Sequence, residues 1–309
     1  MTLERALTGP RQLTIADCRP TNRQSEIGNR KSPIGNRPEA TLRLAVIVPT
    51  YNEAENIARL AGEILALPLD AQLIIVDDNS PDGTGDMADR LAATDRRVHV
   101  VHRPGKLGLG TAYIAGFRRA FELEAEAMVT MDADFSHHPR YIPALVARLE
   151  TCDLAIGSRY VPGGGTQHCT LPRRLLSYGA NAFARVVLGL HAHDCTAGFR
   201  VYRRQVLQAI PLEQIFSSGY SFLIEMLYAC QSRGFRVGEV PIIFANRQHG
   251  ASKISRLEIV RALYTVLRLR FRGLPWGLVG KVAGRSFGEV QRATLDVGNR
   301  GTKGNRSAR

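Results

Sequence analysis

From Leu42 onward, apolar residues fall into short unbroken runs separated by stretches with a helical period. Leu44–Val48, Gln72–Val76, Val98–Val101, Ala127–Met131 and Leu154–Gly157 read as strands. They are continuous rather than alternating, the pattern of strands covered on both faces of a parallel sheet. Between them, Glu53–Leu67, about Thr84–Ala93, Gly108–Glu124 and Tyr141–Glu150 carry the spacing of amphipathic helices. This alternation predicts an α/β fold with a doubly wound, mostly parallel sheet. Right-handed crossovers gather the carboxyl ends of such strands on one edge. Further along come a glycine-rich loop at Gly163-Gly164-Gly165 and a helix holding Arg173, Arg174, Ser177 and Asn181. A turn and short strand (Asp194–Tyr202), a helix opening at Gly219 and a strand pair broken at Pro241 (Phe235–Phe244) follow. The polar loop Asn246–Lys253 ends this part.

Leu257–Phe271 is again helical in period, with Ile259, Val260, Leu263, Val266 and Leu267 on one side. Arg261, Arg268 and Arg272 lie opposite, and Arg270 falls on the apolar side. With Trp276 beyond it, the helix suits either an anionic membrane surface or a seat on the main domain. Residues 1–40 and 281–309 have too little apolar content to fold and are expected to be disordered. The domain expectation is therefore a basic extension at 1–40, one domain at 41–255, an interfacial helix and Trp segment at 256–280, and a basic tail.

The net charge of +13 directs attention to nucleic acid until it is located. Residues 1–43 carry +4 and residues 251–309 carry +10, whereas residues 44–250 carry −1. A neutral body without aromatic-interleaved basic motifs argues against nucleic-acid binding. Cys18, Cys152, Cys169, Cys195 and Cys230 are odd in number and lack Cys-x-x-Cys spacing, so reduced thiols are expected. His191-Ala192-His193 has no second ligand pair at zinc-site spacing and reads as a loop. No apolar run reaches the roughly 18 residues that span a bilayer, and the first residues lack a signal-peptide core. Cytoplasmic placement, peripheral on the inner face of the membrane, is the expectation.

The chemistry concentrates where Met128-Val129-Thr130-Met131 runs into Asp132-Ala133-Asp134. Ligands of open α/β sheets bind at this strand edge. Two carboxylates this close raise each other's pKa unless a cation lies between them. Hard oxygen donors with room for water and a diphosphate suit Mg²⁺ or Mn²⁺. Two glycine patterns could suggest a dinucleotide instead. Gly83-Thr84-Gly85 stands too far from the strand end at Val76, and Gly108-Leu109-Gly110 has Tyr113 where a small residue belongs.

Six stretches, in this order, carry a resemblance: Pro49-Thr50-Tyr51-Asn52-Glu53, Asp77–Thr84, Lys106–Tyr113, Met131–Pro139, Gly157-Ser158-Arg159-Tyr160 and Asn246–Lys253. Over about residues 43–255 the chain resembles inverting family 2 glycosyltransferases of GT-A fold, in particular polyprenyl-phosphate mannosyltransferases. The resemblance implies a nucleotide-sugar site at Pro49, Tyr51, Glu53, Val76 and Asp78, with Asp132, Ala133 and Asp134 at the sugar and metal. It implies that Arg159, Arg247 and Lys253 face the donor diphosphate and the acceptor phosphate, and that Asp134 joins these three cations in catalysis. The implied partners are GDP-mannose, a polyprenyl phosphate and a membrane surface, reached directly or through a small anchoring subunit. A UDP-glucose-dependent glucosyltransferase is the alternative within the class. Leu223 stands where relatives usually have Gln and Ala197 where Ser is common, which affects the fine shape of the pocket.

Overall fold

The computed structural model describes residues 42–167, 169–217, 219–245 and 256–271. The expected segments 1–40 and 281–309, the Trp276 segment, Arg247, Lys253 and Cys18 lie outside these residues.

Four βα units open the chain: β1 (Leu44–Thr50), α1 (Ala54–Leu65), β2 (Ala71–Asp77), α2 (Thr84–Thr94), β3 (Val98–His102), α3 (Leu109–Glu122), β4 (Ala127–Thr130) and, after a 3₁₀ turn at Pro139–Tyr141, α4 (Ile142–Arg148). Then follow β5 (Leu154–Ser158), β6 (Gly165–Gln167), α5 (Leu171–Leu188), β7 (Arg200–Arg203), α6 (Arg204–Ala209), α7 (Tyr220–Gln231), β8 (Val237–Pro241), β9 (Ile243–Ala245) and α8 (Arg256–Phe271). Seven strands form one sheet in the order β3-β2-β1-β4-β7-β5-β8, and β6 pairs with β9 beside it. All ladders of the large sheet are parallel except those of β7, which runs antiparallel to β4 and β5. The sheet is thus mostly parallel, as its unbroken apolar runs predict. The reversed strand was not legible, because four residues give too short a period to assign a direction.

Alternation within the apolar runs separates two cores. Ala45 and Ile47 of β1 join Tyr113, Phe117, Met128, Ile156, Phe222 and Leu227 on one face. Leu44, Val46 and Val48 join Ile57, Leu60, Ile64, Leu73 and Val129 on the other. Both faces of the central strands are covered, so most of their residues are apolar whichever way they point. β1, β2, β4 and β5 run the same way, and their carboxyl ends at Thr50, Asp77, Thr130 and Ser158 share one edge.

The C-terminal helix does not hang free of this body. Val266 and Thr265 are buried, Ala262 and Leu269 pack on the core, and α8 lies against α5 and α7. Arg268, expected on the solvated face, turns inward with its guanidinium 3.9 Å from the centre of the Phe216 ring. Val260, Leu263, Leu267 and Phe271 remain exposed. The helix therefore has a packed face and a separate apolar face, and one amphipathic stripe was too simple a description.

Packing at the start of α3 explains one glycine. A Cβ built on Gly110 would lie 2.6 Å from Cδ2 of Phe222, a buried ring of α7. Gly110→Ala is expected to lower stability by about 1–3 kcal/mol through overpacking. Combining it with Phe222→Leu should cost less than the sum of the two single changes. Urea titration of the four proteins measures this coupling, and strict additivity would mean that α3 and α7 do not meet here.

Candidate active site

The loop after β2 shows how a carboxylate-rich motif divides its work. Asp77 accepts from the Thr50 hydroxyl at 3.0 Å and from both the amide and hydroxyl of Ser80, at 3.0 and 2.6 Å. Asp82 accepts from the amide of Ala54 at 3.1 Å and from the amide and hydroxyl of Thr84. It thereby satisfies amides at the starts of both α1 and α2. Glu53 is also buried, accepting from Asn56 at 2.9 Å while its own amide donates to Thr84 Oγ1.

Asp78 differs from its neighbours. Its nearest cation is Arg103, itself 5% exposed, with a nitrogen 2.7 Å from Asp78 Oδ1 in a contact poorly aligned for a hydrogen bond. Burial pushes the Asp78 carboxyl up to about 6 against the pull of Arg103. Pro49 and Val76 line the same strand ends, half-buried and buried respectively. Tyr51 is exposed, with Lys106 Nζ 4.3 Å from the centre of its ring. A flat aromatic, a cation and a buried carboxylate thus meet at the ends of β1 and β2.

At the end of β4, the amide of Asp132 donates to Nδ1 of buried His137 at 3.0 Å. That nitrogen therefore carries a lone pair, so its 3.6 Å approach to Asp132 Oδ2 is a contact rather than an ion pair. Ala133 is buried between the two aspartates, and Asp134 Oδ1 accepts from the amide and hydroxyl of Ser136. Phe135, the next residue after Asp134, has φ 59°. Such a conformation costs an ordinary L-residue on the order of 1 kcal/mol. Its ring is held under the Arg59 guanidinium at 4.5 Å. The turn that presents Asp132 and Asp134 is thus strained and pinned from both sides. Among the described residues no cluster of three or more His, Cys, Asp or Glu stands at metal-binding distance. Two carboxylates fit a hard divalent ion that keeps its remaining positions for water and a diphosphate.

Arg159, at the end of β5, is tied more tightly than its motif suggests. Its Nε and Nη2 meet Asp194 Oδ2 and Oδ1 at 2.7 Å each, and Nη2 also donates to Thr196 Oγ1. Burial works against its charge, but the hydrogen bonds and charge of Asp194 win and hold the guanidinium above its ordinary value. Asp194 is fully buried, and Glu239 of β8 accepts from its amide at 3.0 Å.

Between these groups opens a cavity of about 610 Å³. It runs from Asp132, His137 and Gly198 past Arg159 and Tyr160 to Leu175, Ser177, Leu263 and Val266 of α5 and α8. Leu223 and Ala197, the two departures noted in the sequence, both line it. Asp132 is its only carboxylate among the described residues.

Residues 45–210 match the sequence profile described as Glycosyl transferase family 2. The chain is 43% identical over 243 residues to an undecaprenyl-phosphate mannosyltransferase of Micrococcus luteus, covering 79% of this chain and 97% of that protein. It is 45% identical over 235 residues to a polyprenol monophosphomannose synthase of Mycolicibacterium smegmatis, covering 75% and 89%. The chain belongs to glycosyl transferase family 2. Its fold matches glucosyl-3-phosphoglycerate synthase from Mycobacterium tuberculosis, crystallised with Mn²⁺ and UDP-glucose, with a TM-score of 0.55 at 23% identity over 75% of this chain and 80% of that one. It also matches the mannosyltransferase PcManGT from Pyrobaculum calidifontis, crystallised with GDP-Man and Mn²⁺, with a TM-score of 0.52 at 18% identity over 77% and 66%.

Within this family framework, the fold gathers Pro49, Tyr51, Glu53, Val76, Asp78, Asp132, Ala133, Asp134 and Arg159 along one sheet edge. Sequence reasoning missed Arg103 and Asp194, and gave no role of their own to Tyr160, Arg174 and Ser177. Tyr160 stood within one of the six stretches, and Ser177 had its one-turn spacing from Asn181. That pair is now explained: Asn181 bonds the Ser177 carbonyl, the Thr196 hydroxyl and the Cys195 amide, tying α5 to the loop before β7.

The Asp78 environment has a consequence for stability. A carboxyl raised by folding binds its proton more tightly in the folded state than in the unfolded chain. Its contribution is complete below the unfolded carboxyl range and is lost as pH rises through about 6. The melting temperature of Asp78→Asn minus that of the wild type should therefore grow from pH 4 to pH 7, by an equivalent on the order of 2 kcal/mol. A gap that stays flat or shrinks over that range would mean that Arg103 dominates burial.

Proposed function

We propose that the chain transfers mannose from GDP-mannose to a polyprenyl phosphate, with inversion at the sugar. The observation that carries this reading is the cavity, whose walls are mostly apolar and hold arginines and hydroxyls but, among the described residues, no carboxylate beyond Asp132. An inverting transfer to a hydroxyl needs a base to take its proton. A phosphate oxygen is already anionic at neutral pH and needs none. Glu225, a carboxylate near the cavity wall, is committed elsewhere: it accepts from the Phe216 amide and from the amide and hydroxyl of Ser217. The mannosyltransferase names of both curated relatives favour the same donor sugar and acceptor class.

In this reading the nucleotide lies at the ends of β1 and β2, against Pro49, Tyr51, Glu53, Val76 and Asp78. Asp132, Ala133 and Asp134 bring the sugar to the mouth of the cavity. The acceptor phosphate enters from the α5 side, drawn by Arg159, Arg174 and the Tyr160–Ser177 hydroxyl pair, whose oxygens stand 2.8 Å apart. Its oxygen attacks the anomeric carbon from the face opposite the diphosphate. The carbon–oxygen bond to GDP breaks with its electron pair remaining on the diphosphate. A Mg²⁺ or Mn²⁺ ion held by Asp132 and Asp134 would neutralise that charge. Arg247 and Lys253, which follow β9 in the sequence, supply the remaining cations.

The acceptor chain stays in a bilayer, so the cavity mouth works at a membrane surface. Leu171, Leu175, Tyr178 and Val186 form an exposed stripe on α5 at positions i, i+4, i+7 and i+15. On α8, Val260, Leu263, Leu267 and Phe271 form another. α5 carries three arginines and no acid, and α8 four arginines and one glutamate. Apolar stripes bounded by arginine suit an anionic leaflet, and the side rich in nucleotide sugar is its inner face. No helix among the described residues is long and apolar enough to cross a membrane.

Two experiments test the reading. Purified protein with a panel of nucleotide sugars and a short polyprenyl phosphate should consume GDP-mannose, stop in excess chelator, and lose most activity in Asp134→Asn. Preference for UDP-glucose, or transfer only to a hydroxyl acceptor, would overturn it. Separately, Leu171→Glu with Leu267→Glu should abolish sedimentation with anionic vesicles. Turnover of long-chain acceptors should fall more than that of a short soluble analogue. Equal loss on both acceptors would assign membrane contact to a partner subunit.

A further inference from the structure

Tyr113 is the residue that spoils the second glycine pattern of the sequence, and nothing in the transfer just described uses it. It sits on α3 with no exposed surface, its ring stacked between Phe117 and Phe222 at centroid distances of 6.4 and 6.2 Å. Stacking accounts for the ring and not for the hydroxyl. Among the described residues that hydroxyl has no hydrogen bond of good geometry, although buried polar groups normally do. The group it faces is the Asp132 carboxylate.

Gly198 lies beside this approach. A Cβ there would meet three groups at ordinary contact distance, 3.4 Å from His137 Cε1, 3.7 Å from Tyr113 Oη and 3.8 Å from Asp132 Oδ1. Three side chains thus converge on a point left empty by glycine. Gly198 is itself anchored to β4, its carbonyl accepting from the Thr130 hydroxyl at 2.7 Å. His137 already fixes the backbone of Asp132 through the amide bond to Nδ1.

We infer that Tyr113 is a positioning residue, donating its phenolic hydrogen to the rear of the Asp132 carboxylate and so aiming that group beside Asp134. The inference rests on the metal reading of the two aspartates. A donor to one oxygen of the carboxylate fixes the angle at which the outward oxygen meets a cation. Loss of such an outer partner generally weakens metal binding about 10–100-fold.

The variant Tyr113→Phe keeps the ring and removes only the hydroxyl, so the two possible roles separate in Mn²⁺ affinity. If the hydroxyl only supports the core, the variant melts lower and binds Mn²⁺ as the wild type does. If it positions Asp132, Mn²⁺ affinity falls in a protein that still melts cooperatively, whichever way the melting temperature moves. The measurement is Mn²⁺ binding in the presence of GDP, followed by electron paramagnetic resonance, beside a thermal melt of each protein. Asp134→Asn sets the level of lost binding. Tyr202→Phe, a buried phenol next to Arg200 and away from the cavity, is the control for removing a hydroxyl from the core.

Mn²⁺ binding in the wild type, at least about tenfold weaker in a cooperatively melting Tyr113→Phe, is the result expected. Equal Mn²⁺ affinity in wild type and Tyr113→Phe, or the same loss in Tyr202→Phe, would overturn the inference while leaving the metal reading intact. A wild type that binds no Mn²⁺ would overturn both.

Discussion

The pair between Arg159 and Asp194 is the interaction on which the acceptor half of this protein depends. It joins the end of β5 to the loop before β7, two elements 35 residues apart in the chain. Each partner would be costly alone: Asp194 has no exposed surface, and the Arg159 side chain is 15% exposed. Two well-aligned bonds offset that desolvation. The pair also anchors a set of neighbours. Glu239 holds the Asp194 amide from β8, Thr196 bridges Arg159 to Asn181, and Asn181 holds α5. Removing Asp194 would leave a buried guanidinium and release three walls of the cavity together.

A consequence follows for the role of Arg159. A guanidinium that spends Nε and Nη2 on a buried carboxylate cannot swing out to follow a phosphate. It presents a fixed positive edge, oriented before any ligand arrives. Preorganised charge of this kind stabilises a transition state better than a mobile side chain, because nothing reorganises during reaction. Arg174 on α5 is exposed and suits the complementary task of capturing an incoming anion.

Much of this arrangement was legible before any coordinates. The unbroken apolar runs gave the strands to within two residues, because a strand buried on both faces tolerates no polar position. Asp78 and Asp132 were readable as strand-end carboxylates. The direction of β7 was not readable, and neither was buried Arg200. Its guanidinium bonds the carbonyls of Cys195, Ala197 and Leu223, and it looks in sequence like any surface arginine. The apolar stripe of α5 was hidden for a different reason. Leu171, Leu175 and Val186 resemble core positions of an ordinary amphipathic helix, and only the fold shows that they face outward. Periodicity reports that a helix has two faces, and it does not report which one the protein covers.

In the proposed function, one sheet serves two ligands of opposite character. On the β1–β2 side the strand ends carry Tyr51, Asp78, Arg103 and Lys106, a polar and charged set suited to a soluble nucleotide. On the β5 side the cavity is walled by Leu175, Leu223, Leu263 and Val266. β4 lies between them, adjacent to β1 on one edge and β7 on the other. Asp132 and Asp134 at its end therefore stand where, in the proposed function, a charged donor and a lipid acceptor first share space. The reversed strand β7 contributes to this division. Running antiparallel, it brings its preceding loop, with Asp194, Thr196, Ala197 and Gly198, to the edge where its parallel neighbours end. A parallel strand in that place would deliver its amino-terminal loop to the opposite edge, and neither the Arg159–Asp194 pair nor the gap at Gly198 could form.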